Sequence, residues 1–260
     1  MIVSLSSGSK ANCTLVSDGS TNILIDLGLS CRRIKQALKD YGLDISDIDA
    51  VFITHEHCDH VAGLPIFVKY SDAPIYMTEP SYLEYIRSAK GFDLRNRITP
   101  LQAEFVMPTG SLTVSSLPVR HDSAACVALK VNGCGLSLGL CTDVGAPTEE
   151  LYSFFKDCGC VITESNYDEK MLLCGVYPTE LKYRIMGQSG HTSNDDCAAF
   201  VCRLARNGVK HFLLAHISPE NNTPELAVYV TAQALKNEGL SVDFLEAAPR
   251  NDTLELKYSL

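Results

Sequence analysis

Apolar residues follow two rhythms along this chain. Short β-branched runs alternate with longer stretches in which apolar positions recur every three or four residues, and turn or cap signals separate them. "CTLVSDGSTNILIDLG" predicts a hairpin, its strands joined at Asp18-Gly19 and ending at Asp26. "SCRRIKQALKDYG" predicts a helix, with Ser30 as N-cap, Ile34, Leu38 and Tyr41 on one face and Gly42 as the stop. "DAVFITH" predicts a buried strand ending on histidine, and "HVAGLPIFVKY" a short helix.

The same alternation returns further along. "PIYMTE" reads as a strand, "PSYLEYIRSAKG" as a helix, and "SLTVSSLPVRH" as a strand ending at His121. "ACVALKVNGCGLSLGLCTD" is a hairpin turning at Asn132-Gly133 and ending at Asp143, and "CVITES" is another strand. "SNDDCAAFVCRLARNG" is a helix in which Ser193 and Asp196 form a capping-box pattern. "VKHFLLAH" is a strand ending at His216, and "TPELAVYVTAQALKNEG" a helix capped by Thr223, with Pro224 first and Gly239 last. Hairpins followed by strand-helix alternation, twice over, predict two sheets with helices outside, an α+β class. No linker or internal repeat divides residues 1–260, which read as one domain.

The polar exceptions to this pattern are positional. Asp26, His55, His121, Asp143 and His216 each fall just after a predicted strand, where side chains converge at the rim of a sheet pair. Packing does not explain so many coincidences.

Composition narrows the setting. The 260 residues carry a formal charge of −9, which argues against a surface coated for nonspecific nucleic-acid binding but leaves room for a local basic groove or a field supplied by metal ions. The 11 cysteines include no CxxC pair, and the N-terminal stretch has no signal-peptide pattern, so free thiols in a reducing cytoplasm are expected. No apolar run approaches the roughly 18 residues of a membrane span. The oligomeric state is not legible.

"THEHCDH" carries the chemistry. His55 and His57 are two apart, so on an extended loop both side chains point the same way and grip one ion, while the turn that follows aims Asp59 and His60 at a second. A lone histidine on a strand is usually a packing residue. Three histidines beside two acids within six positions reverse that reading. Imidazole with carboxylate suits zinc, manganese or iron, and the lack of a nearby cysteine pair disfavours a closed structural zinc site.

This HxHxDH stretch, with Asp26, His121, Asp143 and His216 following the expected order, resembles the metallo-β-lactamase fold. The resemblance implies a four-layer αββα sandwich of two mixed sheets, with the site at one edge. It implies His55, His57 and His121 as ligands of one metal, Asp59, His60 and His216 of the other, Asp143 as the bridge, and Asp26 as a hydrogen-bonding support. An acid at Asp143 resembles the two-metal hydrolases and nucleases, and antibiotic hydrolysis is disfavoured.

"SLSSGSKANC", "ITESNYDEKML", "YPTELKYRI", "GHTSNDDCA" and "LAHISPENNTPE" resemble the YycJ/WalJ group more closely, a branch associated with nuclease activity on DNA. Lys10 and Ala11 stand where that group's GSGSSGN motif has Ser and Gly. The expected function is a metal-dependent phosphodiesterase or nuclease, a 5′-to-3′ DNA exonuclease; the alternative is a hydrolase of a small cyclic phosphodiester or a thioester.

Asp59, Asp143 and His191 are the candidate catalytic residues, His191 donating to a phosphate oxygen or a leaving group. Ser7, Ser9, Asn12, Asn166 and Ser193 are candidate phosphate contacts, offered by a serine-rich turn, a strand-to-helix turn and a helix N-terminus. Arg32, Arg33, Lys35, Lys182 and Arg184 are possible contacts to a nucleic-acid backbone, but short charge runs usually solvate a helix face and none is assigned individually. His211 has no assigned role.

Overall fold

Alternate residues along the buried strands belong to different cores, and that alternation builds the layers. In the computed structural model, which describes residues 1–88, 94 and 96–256, the first half of the chain forms β1 (Ile2–Ser6), β2 (Cys13–Ser17), β3 (Asn22–Ile25), α1 (Cys31–Lys39), β4 (Ala50–Phe52), α2 (Cys58–Val61), α3 (Leu64–Phe67), β5 (Ile75–Thr78), α4 (Glu79–Ser88) and β6 (Ile98–Leu101). The second forms β7 (Val106–Thr109), β8 (Leu112–Pro118), β9 (Val127–Gly133), β10 (Leu136–Cys141), α5 (Glu149–Phe155), β11 (Cys160–Glu164), α6 (Glu169–Cys174), α7 (Thr179–Met186), α8 (Asn194–Arg206), β12 (His211–Ala215), α9 (Pro224–Asn237), β13 (Phe244–Ala247) and β14 (Leu254–Glu255).

Two seven-stranded sheets result, ordered β14-β1-β2-β3-β4-β5-β6 and β13-β12-β11-β10-β9-β8-β7. Each begins with antiparallel pairs and continues with parallel ones, from β3 to β6 and from β10 to β13. Ile23, Ile25 and Phe52 of one sheet share a core with Leu129, Leu138, Ile162 and Leu213 of the other. The intervening Leu24, Val51 and Ile53 pack instead with Ile34 and Leu38 of α1 and Phe67 of α3. On the far side Val161, Phe212 and Leu214 pack with Phe155 of α5, Val201 of α8 and Ala227 of α9. The two sheets with helices outside follow the alternation, and together they make the four-layer α+β sandwich that the resemblance implies.

The differences are local. "HVAGLPIFVKY" forms two short helices instead of one, because the chain breaks at Gly63. Its N–H donates to Leu27 O at 2.7 Å, and a Cβ there would lie 2.0 Å from Leu29 O, so only glycine admits this approach. Ser30 occupies the N-cap of α1 without a side-chain capping bond. Of the helix expected over "PSYLEYIRSAKG", residues 89–91 lie outside the described residues. All 11 cysteines are free thiols. No described helix is long and apolar enough to cross a membrane.

Candidate metal centre

Carboxyl ends of strands from both sheets meet at one edge. Asp26 follows β3, His55 follows β4, His121 follows β8, Asp143 follows β10, Glu164 closes β11 and His216 follows β12. At Asp26, Asp143 and His216 the backbone is left-handed, with φ of 62°, 56° and 53°. Such a conformation costs about 1–3 kcal/mol per residue and persists only where the surroundings enforce it. Here Asp26 N donates to Phe52 O at 2.9 Å, and His216 N donates to Ser7 Oγ at 2.8 Å. The strands therefore end in bends that bring three polar side chains into the site.

Three groups of ligand-capable atoms form, each with its atoms within 4.8 Å of one another: His55, His57 and His121; Asp59, His60, Asp143 and His216; and, overlapping the second, Asp143, Glu164, His191 and His216. Asp143 joins them. Its Oδ2 is 2.9 Å from His60 Nε2, and its Oδ1 is 3.6 Å from His121 Nε2 and 3.5 Å from His216 Nε2. The sequence-predicted ligands are thus brought together, with Asp143 between the sets.

The electrostatics suit a cation. His55 Nε2 is buried without a hydrogen-bond partner, and burial, with His60 beside it, holds the His55 ring neutral by pushing its pKa well below 6.5. Asp143 Oδ2 also lacks a hydrogen-bond donor, despite its 2.9 Å approach to His60. Burial opposes charge on His60, but Asp26 and Asp143 outweigh it and raise its pKa well above the usual value. His216 behaves likewise: burial is outweighed by Asp143 and by bonds to Asp59 and Glu164, pushing the pKa up to about 10. Buried nitrogens and carboxylate oxygens without enough donors fit divalent metal ions.

The supports lie behind the ligands. Asp26 Oδ2 is 2.8 Å from His60 Nδ1, while its Oδ1 accepts from Thr54 N at 2.8 Å, tying the histidine loop to β3 as a support should. Glu164 does the same for His216, at 2.7 Å from Nδ1, and its Oε1 also lies 2.8 Å from Nδ1 of His191. Its other oxygen accepts from Val144 N and Thr192 N. The sequence reading missed Glu164, although its place at the end of "CVITE" repeats the strand-end pattern that marked Asp26 and Asp143.

Candidate phosphate contacts divide by burial. Ser7, Asn12 and Asn166 are buried and bonded inward: Ser7 Oγ accepts from His216 N, Asn12 Nδ2 lies 3.0 Å from His60 Nε2, and Asn166 Nδ2 donates to His216 O at 2.7 Å. They brace the ligand loops. Ser193 Oγ caps α8 by accepting from Asp196 N at 3.0 Å and donates to the Asp196 carboxylate at 2.7 Å, so its hydroxyl is engaged within the helix. Ser9 alone among the five is exposed. Asp59 keeps a side chain 15% exposed beside His60 and His216, and His191 one 22% exposed, so both border solvent. His211 belongs to none of the ligand groups.

The family model of the metallo-beta-lactamase superfamily matches residues 7–126. The chain is 31% identical over 255 residues to the exodeoxyribonuclease YycJ of Bacillus anthracis, covering 96% of this chain and 93% of that protein. It is 29% identical over 247 residues to the exodeoxyribonuclease WalJ of Streptococcus pneumoniae, covering 92% and 90%. Among solved structures, the metallo-beta-lactamase fold protein YhfI of Bacillus subtilis matches with a TM-score of 0.69 at 16% identity, over 98% of this chain and 99% of that one. At that identity the structural likeness speaks to the fold.

Proposed function

Because this chain belongs to the metallo-beta-lactamase superfamily, alongside the YycJ and WalJ exodeoxyribonucleases, we propose that it is a metal-dependent nuclease removing nucleotides from the 5′ end of DNA. The observation that carries this reading is Asp143, which groups with Asp59, His60 and His216 and lies 3.6 Å from His121 of the other group, with His191 at their border. We assign His55, His57 and His121 to one divalent ion, Asp59, His60 and His216 to a second, and Asp143 to both. Zinc, manganese and iron all suit such imidazole and carboxylate donors.

Divalent ions held there supply Lewis acidity toward a phosphodiester and hydroxide at neutral pH. The chain's own residues do the rest. Asp26 and Glu164 fix the rings of His60 and His216, so the ligand atoms are set before substrate arrives. When the phosphorus–oxygen bond breaks, the departing oxygen needs a proton. His191 supplies it: Glu164 engages Nδ1 and stabilises the protonated ring, leaving Nε2 to donate.

The test is the product ladder from 5′-labelled single-stranded DNA incubated with manganese-loaded protein, beside Asp143→Ala. Labelled mononucleotides from the wild type alone are expected. An intact ladder from metal-loaded wild type would overturn the proposal.

A further inference from the structure

One cleft beside the metal centre is basic, although the chain as a whole carries −9. It encloses about 480 Å³, and Lys10, Arg33 and Arg250 line it together with Gly8, Ser9 and Gly28, while no acidic residue among the described residues does so. None of the three cations has a carboxylate partner among the described residues. Arg33 Nη2 donates to Asn251 O at 3.2 Å and Arg250 Nη2 to Ser218 O at 3.0 Å, so backbone carbonyls aim the guanidinium groups without neutralising them. Arg250 Nε is buried and has no partner. Elsewhere on the chain, Lys35 lies 3.6 Å over the Tyr70 ring and Arg184 pairs with Asp122.

The cleft shares its wall with the site. A Cβ on Gly28 would lie 1.7 Å from Asp59 O, and Ser7, also on the wall, accepts from His216 N. On the side of His57 lies a hollow of about 630 Å³ lined by Glu56, Glu84 and Asp122, where Arg87 pairs with Glu84 and Arg184 with Asp122. A polyanionic strand at the site meets cations without carboxylate partners on the Gly28 side, whereas the arginines on the His57 side are already paired. Guanidinium forks and an ammonium around a glycine-serine loop match phosphate oxygens.

We propose that this cleft binds a backbone phosphate of the substrate strand other than the scissile one, through Lys10, Arg33 and Arg250. The proposal rests on the nuclease reading. Lys10, standing where the related motif has serine, makes the site stronger in this chain than that motif alone provides.

The experiment compares the metal-loaded wild type with the double variant Lys10→Ala, Arg33→Ala on two substrates: single-stranded DNA and bis(p-nitrophenyl) phosphate, which has a single phosphate and cannot reach the cleft while being cut. The variant is expected to keep wild-type turnover of the small ester and wild-type kcat on DNA, while KM for DNA rises about tenfold or more. Its salt dependence of binding should flatten by up to about 0.7 in log–log slope, for one lost phosphate contact to a single strand. A single neutral methylphosphonate walked along the strand should weaken wild-type binding at one non-scissile linkage and leave the variant indifferent there. Unchanged KM and equal sensitivity to every methylphosphonate would overturn the cleft assignment while the nuclease reading stood. Hydrolysis of neither substrate by the wild type would overturn both.

Discussion

The carboxylate of Glu164 lies 2.7 Å from Nδ1 of His216, so a ligand-capable histidine at the end of β12 is braced from the neighbouring strand β11. A carboxylate in that position fixes the ring orientation and makes the opposite nitrogen a better donor to metal. Glu164→Gln preserves the shape and removes the charge. We expect a 10- to 100-fold loss of metal affinity, on the order seen for such supports, with the fold retained. Metal titration by calorimetry, beside circular dichroism, checks this. Unchanged affinity would show that the brace is dispensable.

The same carboxylate sets the pH dependence. Burial opposes a proton on His191, but Glu164 at 2.8 Å outweighs it, so the His191 pKa is raised above 6.5. A proton donor works only below its pKa, so kcat should fall as pH rises through that raised value. In Glu164→Gln the pKa drops back and the alkaline limb moves to lower pH. In His191→Gln the limb disappears, with kcat down about 10²- to 10⁴-fold. Profiles of kcat against pH decide it, and a limb unmoved in both variants would remove His191 from the proton path.

Much of this was readable in the letters, for physical reasons. Ligand side chains cluster in sequence at "THEHCDH" because one loop supplies four of them, and the others sit where apolar runs stop. Direction was not readable: Ser7, Asn12 and Asn166 look like phosphate contacts because they are polar and near the motifs, yet each is buried and bonded to the ligand loops. Glu164 shares the strand-end position of Asp26 and Asp143, but no place in the HxHxDH resemblance marks it. Strand β1 was missed because "IVSLS" mixes serines into a run whose five residues are all buried, and the edge strand β14 has only two residues. The left-handed bends at Asp26, Asp143 and His216 leave no mark, since Asp and His adopt them more readily than most residues.

Metal uptake should expel protons. In the metal-free protein His60 and His216 have raised pKa values, about 10 for His216, so both rings carry a proton at pH 7 that ligation must displace. About two protons per chain are expected to leave on metal binding, with affinity climbing as pH rises toward 10. The sign for stability is the reverse. A raised histidine pKa contributes fully below its ordinary 6.5 and is lost as pH rises through the folded value, so chelator-treated protein should weaken between about pH 7 and 10. Calorimetry in buffers of different ionisation enthalpy, and melting curves in chelator across that range, measure both. Metal binding with no proton release would contradict the charged rings.

Gly28 couples the serine-rich loop to the ligand loop by a backbone hydrogen bond and close packing. Its N–H donates to Asn12 O at 2.9 Å, Asn12 N donates to Asp59 O at 2.8 Å, and a Cβ on Gly28 would lie 1.7 Å from that oxygen and 2.6 Å from Asn12 N. Neither obstacle is a flexible side-chain end, so Gly28→Ala must push the backbones apart. Overpacking of this kind costs about 1–3 kcal/mol. The displacement falls on Asp59, whose carboxylate stands 3.3 Å from His216 Nε2, so metal affinity should fall together with the melting temperature. A lower melting temperature with wild-type metal affinity would show that Asp59 is positioned from its side chain inward, by His60 and His216, and not by the backbone contact with Gly28.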